Sequence, residues 1–186
     1  MKRPIVKLFR VFYNTARQIF LYLYNVARKM EIKKCGKGTF FHGPIKIREP
    51  QNLILGDYVQ IGTKCRLYAD GGIEIGDHTQ IAPGLVVYSI NHKIHGKRLP
   101  YDDIYEYQKV TIGRNAWIGA DVKIIPGVTI GEGAVIGMGT VVTKDVPPLA
   151  VIGGQPYRIL KYRDKSHYTK LCKEKKFSGK YGKPAY

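Results

Sequence analysis

The stretch from Asn91 to Lys109 carries the densest set of potential substrate-binding groups in this 186-residue chain. It opens Asn-His-Lys-Ile-His-Gly-Lys-Arg and continues through Tyr101, Asp102, Asp103, Tyr105, Glu106 and Tyr107. Imidazoles, phenols, carboxylates and amides together can donate and accept many hydrogen bonds, which suits recognition of a polar substrate. Long loops held on a rigid scaffold are where binding and catalytic groups concentrate. This stretch is therefore the leading site candidate, and the rest of the chain must supply its support.

That support is written in a six-residue period. Branched aliphatics return at Ile112, Ile118, Ile124, Ile130, Ile136 and Val142, and the same register appears upstream as Leu55, Ile61, Leu67 and Ile75, Ile81, Val87. Six is not a multiple of 3.6, so a helix would scatter these side chains around its circumference; the Gly and Pro punctuation opposes helix as well. Six is a multiple of two, so strand residues six apart point to the same side. Three hexads joined by turns make one triangular coil, and such coils stack about 4.8 Å apart through parallel ladders. Ile112 to Thr129 and Ile130 to Pro147 read as two of them. The fifth hexad position is small or apolar at Val59, Cys65, Thr79, Leu85, Ala116, Val122, Val128, Ala134, Thr140 and Val146, as an inward companion must be. A filled interior puts any chemistry on the outside. Val87 and Ile112 are 25 residues apart, which breaks the register, so Asn91 to Lys109 must leave the stack as a loop.

The net charge of +17 belongs to the two ends. Residues 1–34 carry nine basic and one acidic side chain, and residues 161–186 carry nine and two, which leaves +2 for the body between them. Ile5, Phe9, Phe12, Ala16, Ile19, Leu23, Val26 and Met30 recur at three and four, with Lys7, Arg10, Asn14, Arg17, Asn25 and Arg28 on another side. Residues 1–34 thus predict a basic amphipathic helix, with Pro4 in its first turn. Its uninterrupted apolar run, Ile19 to Tyr24, is far too short to cross a bilayer, and its earlier apolar run is broken by Lys7 and Arg10, which a secretion signal would avoid. Two readings stand: peripheral attachment through residues 1–33 to an anionic inner membrane face, or packing on the base of the repeat body with the charges solvated. Residues 161–186, rich in Lys and without an apolar period, predict a solvated basic tail. Cys35, Cys65 and Cys172 are odd in number and scattered, which argues against a disulfide framework and for a reducing, cytoplasmic setting. The repeat body spans residues 35–160 and includes the loop 91–109.

The hexads, the excursion opening with Asn91-His92, and the run Ile112-Gly-Arg-Asn-Ala-Trp-Ile-Gly-Ala-Asp-Val-Lys-Ile-Ile-Pro-Gly-Val-Thr-Ile-Gly resemble the hexapeptide-repeat acyltransferases. The likeness is to their galactoside and maltose O-acetyltransferase branch in particular. Gly137-Met-Gly-Thr-Val-Val-Thr-Lys-Asp-Val-Pro-Pro and Gly153-Gly-Gln-Pro-Tyr-Arg extend it, so that it covers residues 50 to 161. It implies an all-β fold, a left-handed parallel β-helix, and a homotrimer with active sites between neighbouring subunits. The handedness comes from the resemblance alone; the period does not contain it.

The resemblance also implies roles. His92 falls where the family places a general base, which takes a proton from an acceptor hydroxyl as that oxygen attacks the acetyl-CoA thioester; His95 is the competitor for this role. The pantetheine arm of CoA is expected along Gly119, Ala120 and Met138, where Met138 is bulkier than the alanine common there. Thr143 and Lys144, with Arg158 and Lys161 near the final coil, are expected toward the phosphates and nucleotide, and cations there have an evident electrostatic rationale. Trp117 matches a site-wall aromatic, with packing as the alternative. Asp70 matches a sugar-contacting position, or is simply the turn residue of Asp-Gly-Gly, and Tyr88 and Asn91 lie near the base in sequence. The family's N-terminal sugar-contacting segment is replaced here by the basic helix. The expected acceptor is therefore a sugar of a surface-polysaccharide or lipopolysaccharide precursor, and no metal is expected.

Three other functions are weighed against this one. An antibiotic or xenobiotic O-acetyltransferase is the nearest, but its relatives carry a longer inserted loop. A γ-type carbonic anhydrase would use His78, His92 and His95 as zinc ligands, although their spacing does not resemble that family's. A nucleic-acid-binding scaffold would need cations interleaved with aromatics on a folded surface, and the charge is not organised in that way.

Overall fold

The computed structural model describes residues 3–178, in which short parallel strands stack into a three-faced β-helix. The first face is built of Lys34–Cys35, Leu53–Leu55, Ile73–Ile75, Val110–Ile112 and Thr129–Ile130. The second runs Phe40–Phe41, Gln60–Ile61, Gln80–Ile81, Trp117–Ile118, Val135–Ile136 and Ala150–Gly153, and Arg158–Tyr162 is added antiparallel at its end. The third comprises Lys46–Arg48, Arg66–Tyr68, Val86–Tyr88, Lys123–Ile124 and Val141–Val142.

The hexad register is the inward register. Ile112, Ile118, Ile124, Ile130, Ile136 and Val142 are all at most 1% exposed, and each stacks on its equivalent in a neighbouring coil, as Ile112 does on Ile130 and Ile124 on Val142. All ten fifth-position companions are buried beside them. Each such aliphatic removed from water contributes about 1.5–3 kcal/mol, so the column is the main source of the body's stability. Turns are made at the fourth hexad position, where Tyr58, Lys64, His78, Asn115 and Asp121 adopt left-handed backbone with φ between 56° and 61°. Gly113 is required for a different reason: a Cβ there would stand 2.6 Å from the amide nitrogen of Glu132 in the next coil. Upstream coils are two residues longer than the downstream ones. Leu55 pairs with Ile75, whereas Ile112 pairs with Ile130, and the extra residues are taken up at the Asp70-Gly71-Gly72 corner.

A stack of coils has two open ends, and exposed strand edges must be covered. Helix α1, Arg3–Glu31, covers the first coil. Asn25 accepts from the Phe41 amide at 2.8 Å and donates to the Phe41 carbonyl at 2.9 Å, so its carboxamide pairs with the open edge as a strand would. The Tyr24 hydroxyl engages the Ile45 amide and carbonyl in the same manner. The docked face is therefore the one carrying Leu21, Tyr24, Asn25 and Arg28. The apolar stripe from Phe9 to Met30 is exposed and not packed on the body.

The C-terminal segment departs from the expected solvated tail. Asp164 caps helix α2, Lys165–Lys173, by accepting from the His167 amide at 2.6 Å. Tyr168 is buried by α2 against Gly133; its hydroxyl donates to Glu132 Oε1 and accepts from Asn115 Nδ2, each at 2.9 Å. The Arg114 guanidinium, with the Tyr168 hydroxyl beside it, holds the Glu132 carboxyl below its usual range, while burial pushes the Tyr168 phenol up. Farther along, Phe177 stacks on His78 at 4.0 Å. Two separate aromatic anchors, Tyr168 with its polar partners and Phe177 on His78, fix this segment, which is why no apolar period announces it. Residues 179–186 lie outside the described residues.

Candidate active site

The three corners of the prism have different occupants. The corner between the first and second faces, which holds His78, Asn115 and Gly133, is covered by α2 and Phe177. The other two corners hold most of the residues expected to do chemistry.

The excursion leaves from the corner between the third and first faces. Its two arms, Ile90–His92 and Tyr105–Tyr107, form an antiparallel hairpin in which His92 stands opposite Tyr105. The hairpin aims the imidazole. Its ring lies 3.8 Å from the Tyr101 ring centroid, stacked, and 4.5 Å from that of Tyr105. His92 Nδ1 is 3.4 Å from the Asp102 carbonyl oxygen. A carbonyl only accepts, so this contact selects the Nδ1–H tautomer and leaves the Nε2 lone pair as the basic site. The Asp102 carboxylate in turn accepts from the amides of Lys97 at 2.9 Å and Asp103 at 2.8 Å, which fixes the peptide whose carbonyl faces His92. Gly96 lies beside it without a side chain, and a Cβ there would run into the Asp102 side chain. His95 is exposed, with no comparable support among the described contacts.

Asn91, exposed beside His92, accepts from the His92 amide through Oδ1 at 2.9 Å. Tyr88, the last residue of its third-face strand, stacks on Tyr68 at 4.2 Å. Its phenol is pushed up first by the hydrogen bond with Tyr68 and then by burial. Asp70 is mostly covered and pairs with Arg48, whose Nε donates to Oδ2 at 2.8 Å. Thr143 and Lys144 stand exposed at this same corner, following the last third-face strand; the Lys144 ammonium lies 5.4 Å over the Tyr157 ring.

A second group lies elsewhere on the prism. Trp117 points outward from the second face and is 60% exposed. Gly119 and Ala120 turn the next corner, and exposed Met138 turns it one coil above. A shallow groove of about 510 Å³ runs beside Ala120, lined by Lys64, Arg66, Pro83, Gly84 and Asp121. Lys64 and Arg66 add two cations that sequence reasoning missed; both are exposed and belong to the coil two steps earlier, 56 and 54 residues before Ala120, so only stacking brings them to it. Arg158 and Lys161 lie on the terminal second-face strand, exposed. A larger cleft follows α2, past Lys165, Lys170 and Lys173, away from His92.

One chain thus brings His92, Asn91, Tyr88, Asp70, Thr143 and Lys144 to one corner, and Gly119, Ala120 and Met138 to another. It does not bring the two groups together. His78 is held between Tyr58 and Phe177, apart from His92, and among the described residues no three His, Cys, Asp or Glu side chains converge as metal ligands.

Residues 109–144 match the family described as bacterial transferase hexapeptide (six repeats). The chain is 35% identical over 138 residues to galactoside O-acetyltransferase of Escherichia coli (strain K12), covering 73% of this chain and 68% of that one. It is 32% identical over 130 residues to WcaF of the same organism, provisionally assigned as a colanic acid biosynthesis acetyltransferase, covering 70% and 69%. Among solved structures, a hexapeptide-repeat-containing acetyltransferase of Vibrio cholerae complexed with acetyl-CoA superposes with a TM-score of 0.68 at 29% identity, over 74% of this chain and 75% of that one.

Proposed function

The chain belongs to the hexapeptide-repeat acetyltransferases, and from that premise we propose that it transfers acetyl from acetyl-CoA to a sugar hydroxyl with His92 as general base. The observation that carries this reading is the His92 imidazole, clasped by Tyr101 and Tyr105 with Nδ1 directed at the Asp102 carbonyl. The Nε2 lone pair takes the hydroxyl proton as the acceptor oxygen attacks the thioester carbonyl carbon. The Asp102 carbonyl stabilises the imidazolium that forms. Collapse of the tetrahedral intermediate breaks the carbon–sulfur bond, and the same proton passes from Nε2 to the departing sulfur, giving a sugar acetate and CoA thiol.

Donor binding draws on the corner that bears Gly119, Ala120 and Met138, with Trp117 as a wall. Lys144, Thr143, Arg158 and Lys161 serve the phosphates and nucleotide, and Lys64 and Arg66 extend the cationic lining. Because Gly119, Ala120 and Met138 occupy a different corner of one chain from His92, a complete site is assembled between two copies, as in a cyclic homotrimer. Asp70, Tyr88 and Asn91 face the acceptor. A sugar of a surface-polysaccharide or lipopolysaccharide precursor fits the hydrogen-bonding character of the excursion, and the likeness to WcaF and to galactoside O-acetyltransferase supports a sugar acceptor. The reaction belongs at the cytoplasmic face, where acetyl-CoA is available.

Calorimetric titration with acetyl-CoA tests the donor half without knowledge of the acceptor. Saturable binding is expected, weakened about tenfold by Lys144→Ala, the lower end for loss of a charged hydrogen bond at an exposed position. An affinity unchanged by Lys144→Ala removes this lysine from the donor site. No binding by folded protein contradicts the reading as a whole.

A further inference from the structure

Helix α1 docks by its polar side and leaves its apolar side uncovered. At about 100° per residue, Leu21 and Asn25 lie within about 40° of each other, whereas Phe12, Ile19, Leu23 and Met30 centre about 160° away. The exposures follow this geometry: Leu21 is 6% exposed, Phe12 73% and Met30 82%. All residues from Val6 to Phe20 are exposed, so the first half of the helix projects past the body with no cover among the described residues. The basic residues Lys7, Arg10 and Arg17 fall on the azimuth of the docked face, opposite the stripe. Between Arg3 and Met30 there are six basic side chains and no acidic one.

We infer that this face lies on an anionic lipid bilayer, in the plane of the headgroups, and holds the catalytic body against the membrane. A helix with a wide apolar stripe, aromatic at Phe9, Phe12 and Phe20, and a basic opposite side is suited to the interface between acyl chains and headgroups. No helix among the described residues is long and apolar enough to cross a membrane, so the contact is peripheral. Charge selects lipid over a second copy of the chain. Each copy of α1 carries six basic side chains against the single acid Glu31, which Arg28 already pairs at 2.7 Å, so copies of the helix repel one another, whereas anionic headgroups supply the counter-charge. The orientation is consistent, because the docked body sits on the water side and the stripe faces away from it. This inference stands on the helix alone, independent of the acyltransfer chemistry. Its consequence for that chemistry is a site held beside glycan precursors carried in the same membrane.

Co-sedimentation of the full chain with vesicles tests it. Binding is expected to phosphatidylcholine vesicles containing about 30% phosphatidylglycerol, falling steeply in high salt and much weaker to phosphatidylcholine alone. Arg10→Gln with Arg17→Gln is expected to reduce the partition coefficient at least tenfold, and so is Phe9→Ser with Phe12→Ser. These four side chains are exposed, so unchanged circular dichroism and acetyl-CoA affinity serve as the folding controls. Binding that survives both pairs of substitutions overturns the inference. Absence of vesicle binding by the unaltered chain overturns it too, and if Phe9→Ser with Phe12→Ser then shifts sedimentation velocity from oligomer to monomer, the stripe is an interface between copies.

Discussion

Replacing His92 with Ala is expected to lower turnover about 10²- to 10⁴-fold while leaving acetyl-CoA affinity unchanged. The imidazole is fixed by two tyrosine rings and one backbone carbonyl, and none of these belongs to the buried column that stabilises the β-helix. Truncating it removes the proton acceptor without opening the core. His95→Ala is the matched control, since that side chain is exposed on the same excursion, and it is expected to retain most activity. Steady-state rates with a working acceptor, read beside calorimetric donor affinity, separate the two variants. Full activity in the His92→Ala protein, or loss in His95→Ala alone, moves the base elsewhere.

The second large effect concerns assembly. His92→Ala and Ala120→Trp are each expected to lower turnover at least about 10²-fold, the first by removing the base and the second by filling the groove beside Ala120. If the site joins the excursion of one chain to the Ala120 corner of another, mixed oligomers contain sites in which both contributions are intact. Co-expression of the two variants with different tags, followed by tandem purification, is expected to restore about one third of the unaltered activity per chain, because every mixed cyclic trimer carries one intact site of its three. Matching thermal transitions for the two single variants exclude misfolding as the cause of their inactivity. Activity that stays at the background of the separate variants means that each chain carries a whole site.

Much of this was legible in the residues, because a solenoid maps sequence position onto surface position. Counting hexads from Ile112 gives the face of every strand downstream. The same count puts Gly119 and Met138 at one corner and Thr143 at the next, so the separation of the two functional groups is already implied by their phase. The break between Val87 and Ile112 marks the excursion for the same reason. Periodicity says nothing about which side of an amphipathic helix docks. In α1 the backbone groups at Phe41 and Ile45 on the open first coil demand hydrogen-bond partners, and Asn25 and Tyr24 meet that demand at the expense of burying the stripe. Helix α2 escapes notice because Tyr168, Asn115 and Glu132, distant in sequence, anchor it together. The placement of Tyr105 beside His92 is likewise a product of the hairpin register, and that of Tyr101 of the turn that joins its arms, which no spacing within the excursion reveals.

The central claim, acetyl transfer to a sugar oxygen, is tested most directly by the linkage formed in the product. Acetyl-CoA labelled in its acetyl group, the full-length protein and a panel of surface-glycan oligosaccharides are incubated together, and the labelled glycan is treated with mild alkali. Label that appears on the glycan and is released by alkali is the predicted result, because an ester hydrolyses under those conditions. Label that survives alkali contradicts the claim by showing an amide, formed on an amino sugar.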